Sequence, residues 1–190
     1  MTTFTLDTNC IIALDEQRPE AGAIRALAEA HRSGTANVAL VGISASERQQ
    51  GGGHIENFAT FQARLARLGI DHLHLLRPMA YCDVTFFDWC VLTDESMVDL
   101  EHQIHTVLFP NIEFGWLDFC RARDLEPEAG IDRKWRNAKC DVQALWSHIH
   151  HKRGVFVTSD VNFHKPTSRT QLTALGAGRI EYPNAAQALV

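Results

Sequence analysis

FTLDTNCIIAL, running from Phe4 to Leu14, begins as a short apolar strand and stops at an acid, Asp7, before turning polar at Thr8 and Asn9. Strands covered on both faces of a parallel sheet read as short apolar runs, and ligands of such sheets bind in the crevice beyond the strands' carboxyl ends. Asp7 stands at that position. It also has a local explanation: a helix beginning near Cys10 would use Asp7 or Thr8 as its cap, because their side chains accept bonds from the free N–H groups of a first turn. The choice between the two turns on whether other acids reach the same edge.

Outward from this stretch the chain alternates strand and helix. The helix from Cys10 to Leu14 is interrupted at Arg18-Pro19, and a second runs from about Pro19 to His31, with Ala23, Leu27 and Ala30 at helical spacing and Ser33-Gly34 as its stop. NVALVGI, Asn37 to Ile43, is the second strand. Ser44-Ala45-Ser46-Glu47 follows it in the pattern of a capping box, so Glu47 too has two readings: a carboxylate reaching back to the Ser44 backbone, or an acid just past a buried strand. Gly51 to Gly53 break the chain without completing a phosphate-binding fingerprint. An amphipathic helix is expected from His54 to Leu68 and a strand at Asp71 to Leu76.

The middle segment predicts an extended piece at Asp83 to Trp89, helices at Asp94 to Leu108 and Trp116 to Arg123, and a turn at Glu126 to Gly130. Its aromatics, Phe86, Phe87, Trp89, Phe114, Trp116 and Phe119, are expected to be packing residues. A helix from about Arg136 to Lys152 then places Asp141 near its beginning, and GVFVTSD forms a strand that stops at Asp160 as the first stops at Asp7. A helix around Ser168 to Leu175, a strand at Arg179 to Tyr182 and a closing helix from Asn184 complete the pattern. The fold expected is α/β, three-layer α/β/α with a central, mainly parallel sheet and extra helices in the middle.

At 190 residues the chain suits one domain, residues 1–190, with a helical insertion at about 78–136. Hydrophobic residues at 45% and charged residues at 22% are ordinary for a globular protein. The absence of a membrane-length apolar run and of a basic, then apolar, N-terminal leader leads to the expectation of a cytoplasmic protein with no membrane partner. Five cysteines without a C-x-x-C pair are expected to be reduced thiols. A net charge of −5 excludes a protein coated in basic residues, yet suits a nucleic-acid enzyme whose acid cluster is offset by divalent cations.

Asp7 and Asp160 end strands far apart in sequence, and Glu47 and Asp141 are expected in first turns facing the same edge. Each acid alone could be a cap or a favourable charge at a helix N-terminus. Together in one crevice they would repel unless a cation sat among them. An oxygen-only donor set favours a hard ion, Mg²⁺ or Mn²⁺.

On LDTN at Leu6 to Asn9, Glu47 after its strand, Asp141 on its helix and VTSDVNF at Val157 to Phe163, the chain resembles a PIN domain, the fold of many metal-dependent ribonucleases including the VapC toxins. The resemblance covers roughly two thirds of the chain, and its middle segment is longer than a compact toxin needs. It implies that Asp7, Glu47, Asp141 and Asp160 are catalytic, metal-holding acids, with Asn162 where the family often has a further acid and Asn9 and Thr158 as supporting residues. It further implies one or two ions and hydrolysis of phosphodiester bonds in single-stranded or loop RNA, while an antitoxin protein and a homodimer are partners the sequence leaves open. The competing expectation is a non-catalytic RNA- or protein-binding module on the same fold.

Weaker signals surround these. Arg133, Lys134, Trp135, Arg136 and Lys139 form a basic strip with an aromatic, and Lys134, Arg136 and Lys139 could guide a nucleic-acid backbone or simply lie on a solvated loop. His148, His150 and His151 sit at a helix end, where histidine suits the dipole, and offer no H-x-x-x-H pair. Cys140 reads as a buried thiol.

Overall fold

The computed structural model describes residues 1–45, 58–81, 84–85 and 89–190. Five parallel strands form one sheet in the order β3-β2-β1-β4-β5: β1 (Thr3–Leu6), β2 (Asn37–Val41), β3 (His74–Leu76), β4 (Val155–Val157) and β5 (Arg179–Glu181). Helices cover both faces, which is why the strands read as apolar runs rather than alternating ones. Phe4, Leu6, Val38, Leu40, Val155 and Val157 face a core completed by α1 (Thr8–Asp15), α2 (Ala21–Arg32) and α3 (Phe58–Leu68). On the opposite face Val41, Phe156 and Ile180 pack with α4 (Glu95–Leu108), α5 (Trp116–Arg123) and α6 (Arg133–His150). The chain ends through α7 (Val161–His164), α8 (Pro166–Leu172) and α9 (Pro183–Gln187).

Local chemistry sets most boundaries. The Asp94 carboxylate accepts from the Met97 N–H at 3.0 Å and starts α4, as expected from the sequence. Asp132 accepts from Lys134 N at 2.7 Å and Trp135 N at 3.2 Å, so α6 begins at Arg133 and is a turn longer at its start than expected. Gly178 has a φ of 60°, and a Cβ there would collide with the Gly154 carbonyl, so only glycine lets β5 enter beside β4. Of the extended piece expected at Asp83 to Trp89, only Val84, Thr85 and Trp89 are described, and none is in a strand. The middle segment supplies α4 and α5 to the second core, with the Trp146 indole N–H donating to the Met97 carbonyl at 3.1 Å. Among the described residues no helix is long and apolar enough to cross a membrane.

Candidate metal-binding site

The chain leaves β1 toward β2 and β3, then returns to the other side of β1 to place β4 and β5. The order therefore reverses between β1 and β4, and in open α/β sheets such a switch point opens a crevice at the carboxyl ends of the strands. Leu6 pairs in register with Val157, so the residues that follow, Asp7 and Thr158, stand side by side at its mouth, with Asp160 two positions on.

Asp7 is only 1% exposed. Its Oδ1 accepts from the Thr8 N–H at 2.8 Å, and its Oδ2 accepts from the Asn9 amide at 3.1 Å and the Thr158 hydroxyl at 2.7 Å. Asp7 is thus the cap of α1 and an acid of the crevice at once. The Thr158 Oγ1 also accepts from the Asp160 N–H at 3.1 Å, so one hydroxyl ties the two strand ends together. Asp160 caps α7, its Oδ1 accepting from the Asn162 N–H at 2.8 Å, while its other oxygen has no hydrogen-bond partner among the described residues. Burial pushes the Asp7 carboxyl up to about 6, and the charge on Asp160 adds to the rise against the lowering effect of the three hydrogen bonds.

The other expected ligands fare differently. The Asn162 Oδ1 accepts from the Lys165 ammonium at 2.8 Å, so that oxygen is engaged by a cation of the protein itself. Asp141 is the ninth residue of α6 and not in its first turn. Seven residues further along, His148 contacts Thr5 of β1; at the helical rise this sets Asp141 about 10 Å toward the carboxyl edge, the level of Asp7 to within a turn. Glu47 and the rest of its capping box beyond Ala45 lie outside the described residues. A 3-10 turn at Gly42–Ala45 follows β2, and its Ser44 hydroxyl meets that of Thr8 at 2.7 Å, which fastens this turn to the start of α1. Glu20, which the sequence reading did not include, reaches the hydroxyl of Ser159 at 3.4 Å. No local signal marks it, because only the tertiary fold brings the residue before α2 to the segment after β4. Among the described residues no three His, Cys, Asp or Glu side chains converge closely enough to hold a metal ion. Asp7 and Asp160 fit a hard cation in charge and donor chemistry, as one side of its coordination sphere.

The basic strip is corrected by burial. Trp135 and Lys139 are each 1% exposed, so neither faces a nucleic acid. The Trp135 indole N–H donates to the Glu113 carbonyl at 3.1 Å, and the Lys139 ammonium pairs with Glu101 at 2.8 Å. Arg133 and Lys134 remain exposed and Arg136 is half-buried. His148 is a core residue: its Nε2 hydrogen donates to the Ala177 carbonyl at 2.9 Å, its Nδ1 accepts from the Thr5 hydroxyl at 2.9 Å, and burial lowers it to about 4. Cys140 is buried, as expected.

Asp7 and His148 titrate in opposite senses. Asp7, raised from 3.8 to about 6, contributes stability that is present below pH 3.8 and lost as the pH rises through 6. His148, lowered from 6.5 to about 4, contributes stability that is present above pH 6.5 and lost as the pH falls through 4. Each is worth on the order of 3 kcal/mol over its window, so in metal-free protein the two largely cancel. Urea unfolding in EDTA at pH 4 to 7 is expected to show Asp7→Asn losing stability on acidification relative to wild type, and His148→Gln losing it on alkalinisation. Three parallel curves would refute both shifts.

No protein-family model matches this chain, and a search of curated proteins returns no match.

Proposed function

We propose that the chain is a PIN-like, metal-dependent nuclease that hydrolyses phosphodiester bonds, an endoribonuclease acting on single-stranded or loop RNA. The observation that supports it is the pairing of Asp7 and Asp160 at the switch point. Asp7 is desolvated beside a second carboxylate and held by Thr8, Asn9 and Thr158. Such an arrangement destabilises the ionised pair unless a cation offsets it. Asp7 and Asp160 would hold Mg²⁺ or Mn²⁺, with Asp141 and Glu47 as the further acids that the resemblance implies, for one or two ions. Such an ion, when bound, would make a coordinated water easier to deprotonate and would offset charge on the phosphate. The chain's own part is to fix the ligands: Thr158 and Asn9 restrain the Asp7 carboxylate, and the first turn of α7 orients Asp160.

The setting expected from the sequence is the cytoplasm, and the free thiols of Cys10 and Cys120 suit a reducing milieu. An antitoxin partner and a homodimer belong to the same proposal.

Incubation with pooled RNA and with single-stranded DNA, each with and without EDTA, tests it. Expected is RNA cleavage with Mg²⁺ or Mn²⁺ that EDTA stops, together with a rise in melting temperature in millimolar Mn²⁺ that Asp7→Asn abolishes. Intact RNA under every condition, with a melting temperature indifferent to metal, favours the binding module instead.

A further inference from the structure

Leu6, Val157 and Glu181 lie in one register row across β1, β4 and β5. The residues one step beyond are Asp7, Thr158 and Tyr182, and the Thr158 N–H donates to the Glu181 carbonyl at 3.1 Å, which extends the ladder into this edge. At two strand spacings the Tyr182 backbone stands about 10 Å from that of Asp7. Tyr182 is 45% exposed although it is a large aromatic. One face of its ring is stacked on His164, centroids 3.6 Å apart and planes within 9°. His164 is itself anchored, its Nε2 hydrogen donating to the carbonyl of Thr158 at 2.9 Å, the residue whose hydroxyl holds Asp7.

This is an aromatic step on the same sheet edge as the acids. Val161, 64% exposed, adjoins Asp160 on the same edge. Basic residues adjoin the step in the chain: Lys165, next to His164, is exposed, and Arg169 and Arg179 share the carboxylate of Glu181, next to Tyr182, at 3.3 and 3.1 Å. A negatively charged crevice repels a phosphate backbone, so a strand drawn to it needs affinity of another kind close by. Stacking of unpaired bases on aromatic side chains is such a source, and a duplex, whose bases are already stacked, cannot use it.

We propose that Tyr182, stacked on His164, is the platform on which an unpaired base of single-stranded RNA stacks beside the bond to be cleaved. The inference rests on the nuclease reading for the identity of the strand. Tyr182 acts as a positioning residue, and Lys165, Arg169 and Arg179 flank the path of the phosphates.

Fluorescence anisotropy with a labelled single-stranded RNA of mixed sequence, in EDTA so that nothing is cut, tests it. Stacking by one base corresponds to about a five- to hundredfold change in affinity. Tyr182→Ala is expected to weaken binding by that factor, Tyr182→Trp to keep it, and Tyr182→Leu, which fills the same space without a π face, to behave as Ala. An RNA of abasic sites should bind wild type and Tyr182→Ala alike. Urea unfolding of each variant separates a loss of fold from a loss of binding: should Ala unfold, the Leu and Trp pair decides. Equal affinity of wild type and Tyr182→Leu overturns the inference. Metal-dependent cleavage with Tyr182-independent binding removes the platform alone, whereas Tyr182-dependent binding without cleavage removes the nuclease and leaves the platform.

Discussion

Asp7→Asn is expected to lower metal-dependent RNA cleavage by on the order of a hundredfold or more while leaving the fold intact, because groups that merely orient a metal ligand already contribute about 10- to 100-fold. Asp7 is such a ligand in the proposed site, and Thr158 and Asn9 are its orienting partners. Thr158→Val is therefore expected to fall in the smaller range, losing the hydroxyl that bridges Asp7 to the Asp160 N–H. The fold tolerates Asp7→Asn because the change removes a desolvated charge, which offsets hydrogen bonds that now meet a mixed donor and acceptor. Asp160→Asn is expected to match Asp7→Asn in activity. Initial rates on pooled RNA in Mn²⁺, with circular dichroism as the check on folding, decide the matter. Full activity in both variants would take the two acids out of the chemistry.

The second large effect concerns stability and lies where α4 packs on α6. Lys139 on α6 is 1% exposed and Glu101 on α4 is 2% exposed, their charges 2.8 Å apart. The same Glu101 oxygen accepts from the Gln143 amide at 2.8 Å, and the Gln143 Oε1 accepts from the Met79 N–H at 3.0 Å, so the network joins α4, α6 and the chain beyond β3. The ammonium also lies over the rings of Phe114 at 4.1 Å, Tyr81 at 4.6 Å and Trp135 at 5.3 Å. Burial lowers the Lys139 pKa even against the pull of Glu101. Removing one partner strands a charge in this environment, and breaking a buried pair costs about 3–5 kcal/mol. Glu101→Ala is expected to lose that much in urea unfolding at pH 7. The double change Glu101→Gln with Lys139→Met is expected to recover most of it, since neither charge is then left to desolvate. A loss below about 1 kcal/mol for Glu101→Ala, the range of an exposed pair, would show that these groups meet water in solution.

The alternation of strand and helix was legible in the sequence because it is local information: short apolar runs stopping at Asp7 and Asp160, a cap at Asp94, and helical spacing along α2 and α3. Asp7 and Asp160 were legible as strand ends for the same reason, as was the parallel α/β class. What local pattern cannot carry is which strand lies beside which. Only the order β3-β2-β1-β4-β5 puts Asp7 next to Thr158 and Asp160 across 151 and more residues of chain and lets one acid raise the other.

The same limit explains the misreadings. Arg133 to Lys139 looked like a solvated basic strip because the groups that bury Trp135 and Lys139, namely Glu113, Glu101, Phe114 and Tyr81, come from other parts of the fold. Asp141 looked like a helix start because its capping signal, Asp132, stands nine residues earlier behind that strip. Tyr182 looked like the end of a strand, and its place beside the acids follows only from the register of β5 on β4. The sequence by itself determined the elements and the acids that close them, since period and capping act over a few residues. Tertiary structure alone decided which charges are buried, which are paired and which share a crevice, because desolvation and Coulomb energy depend on distances in space that no spacing along the chain encodes.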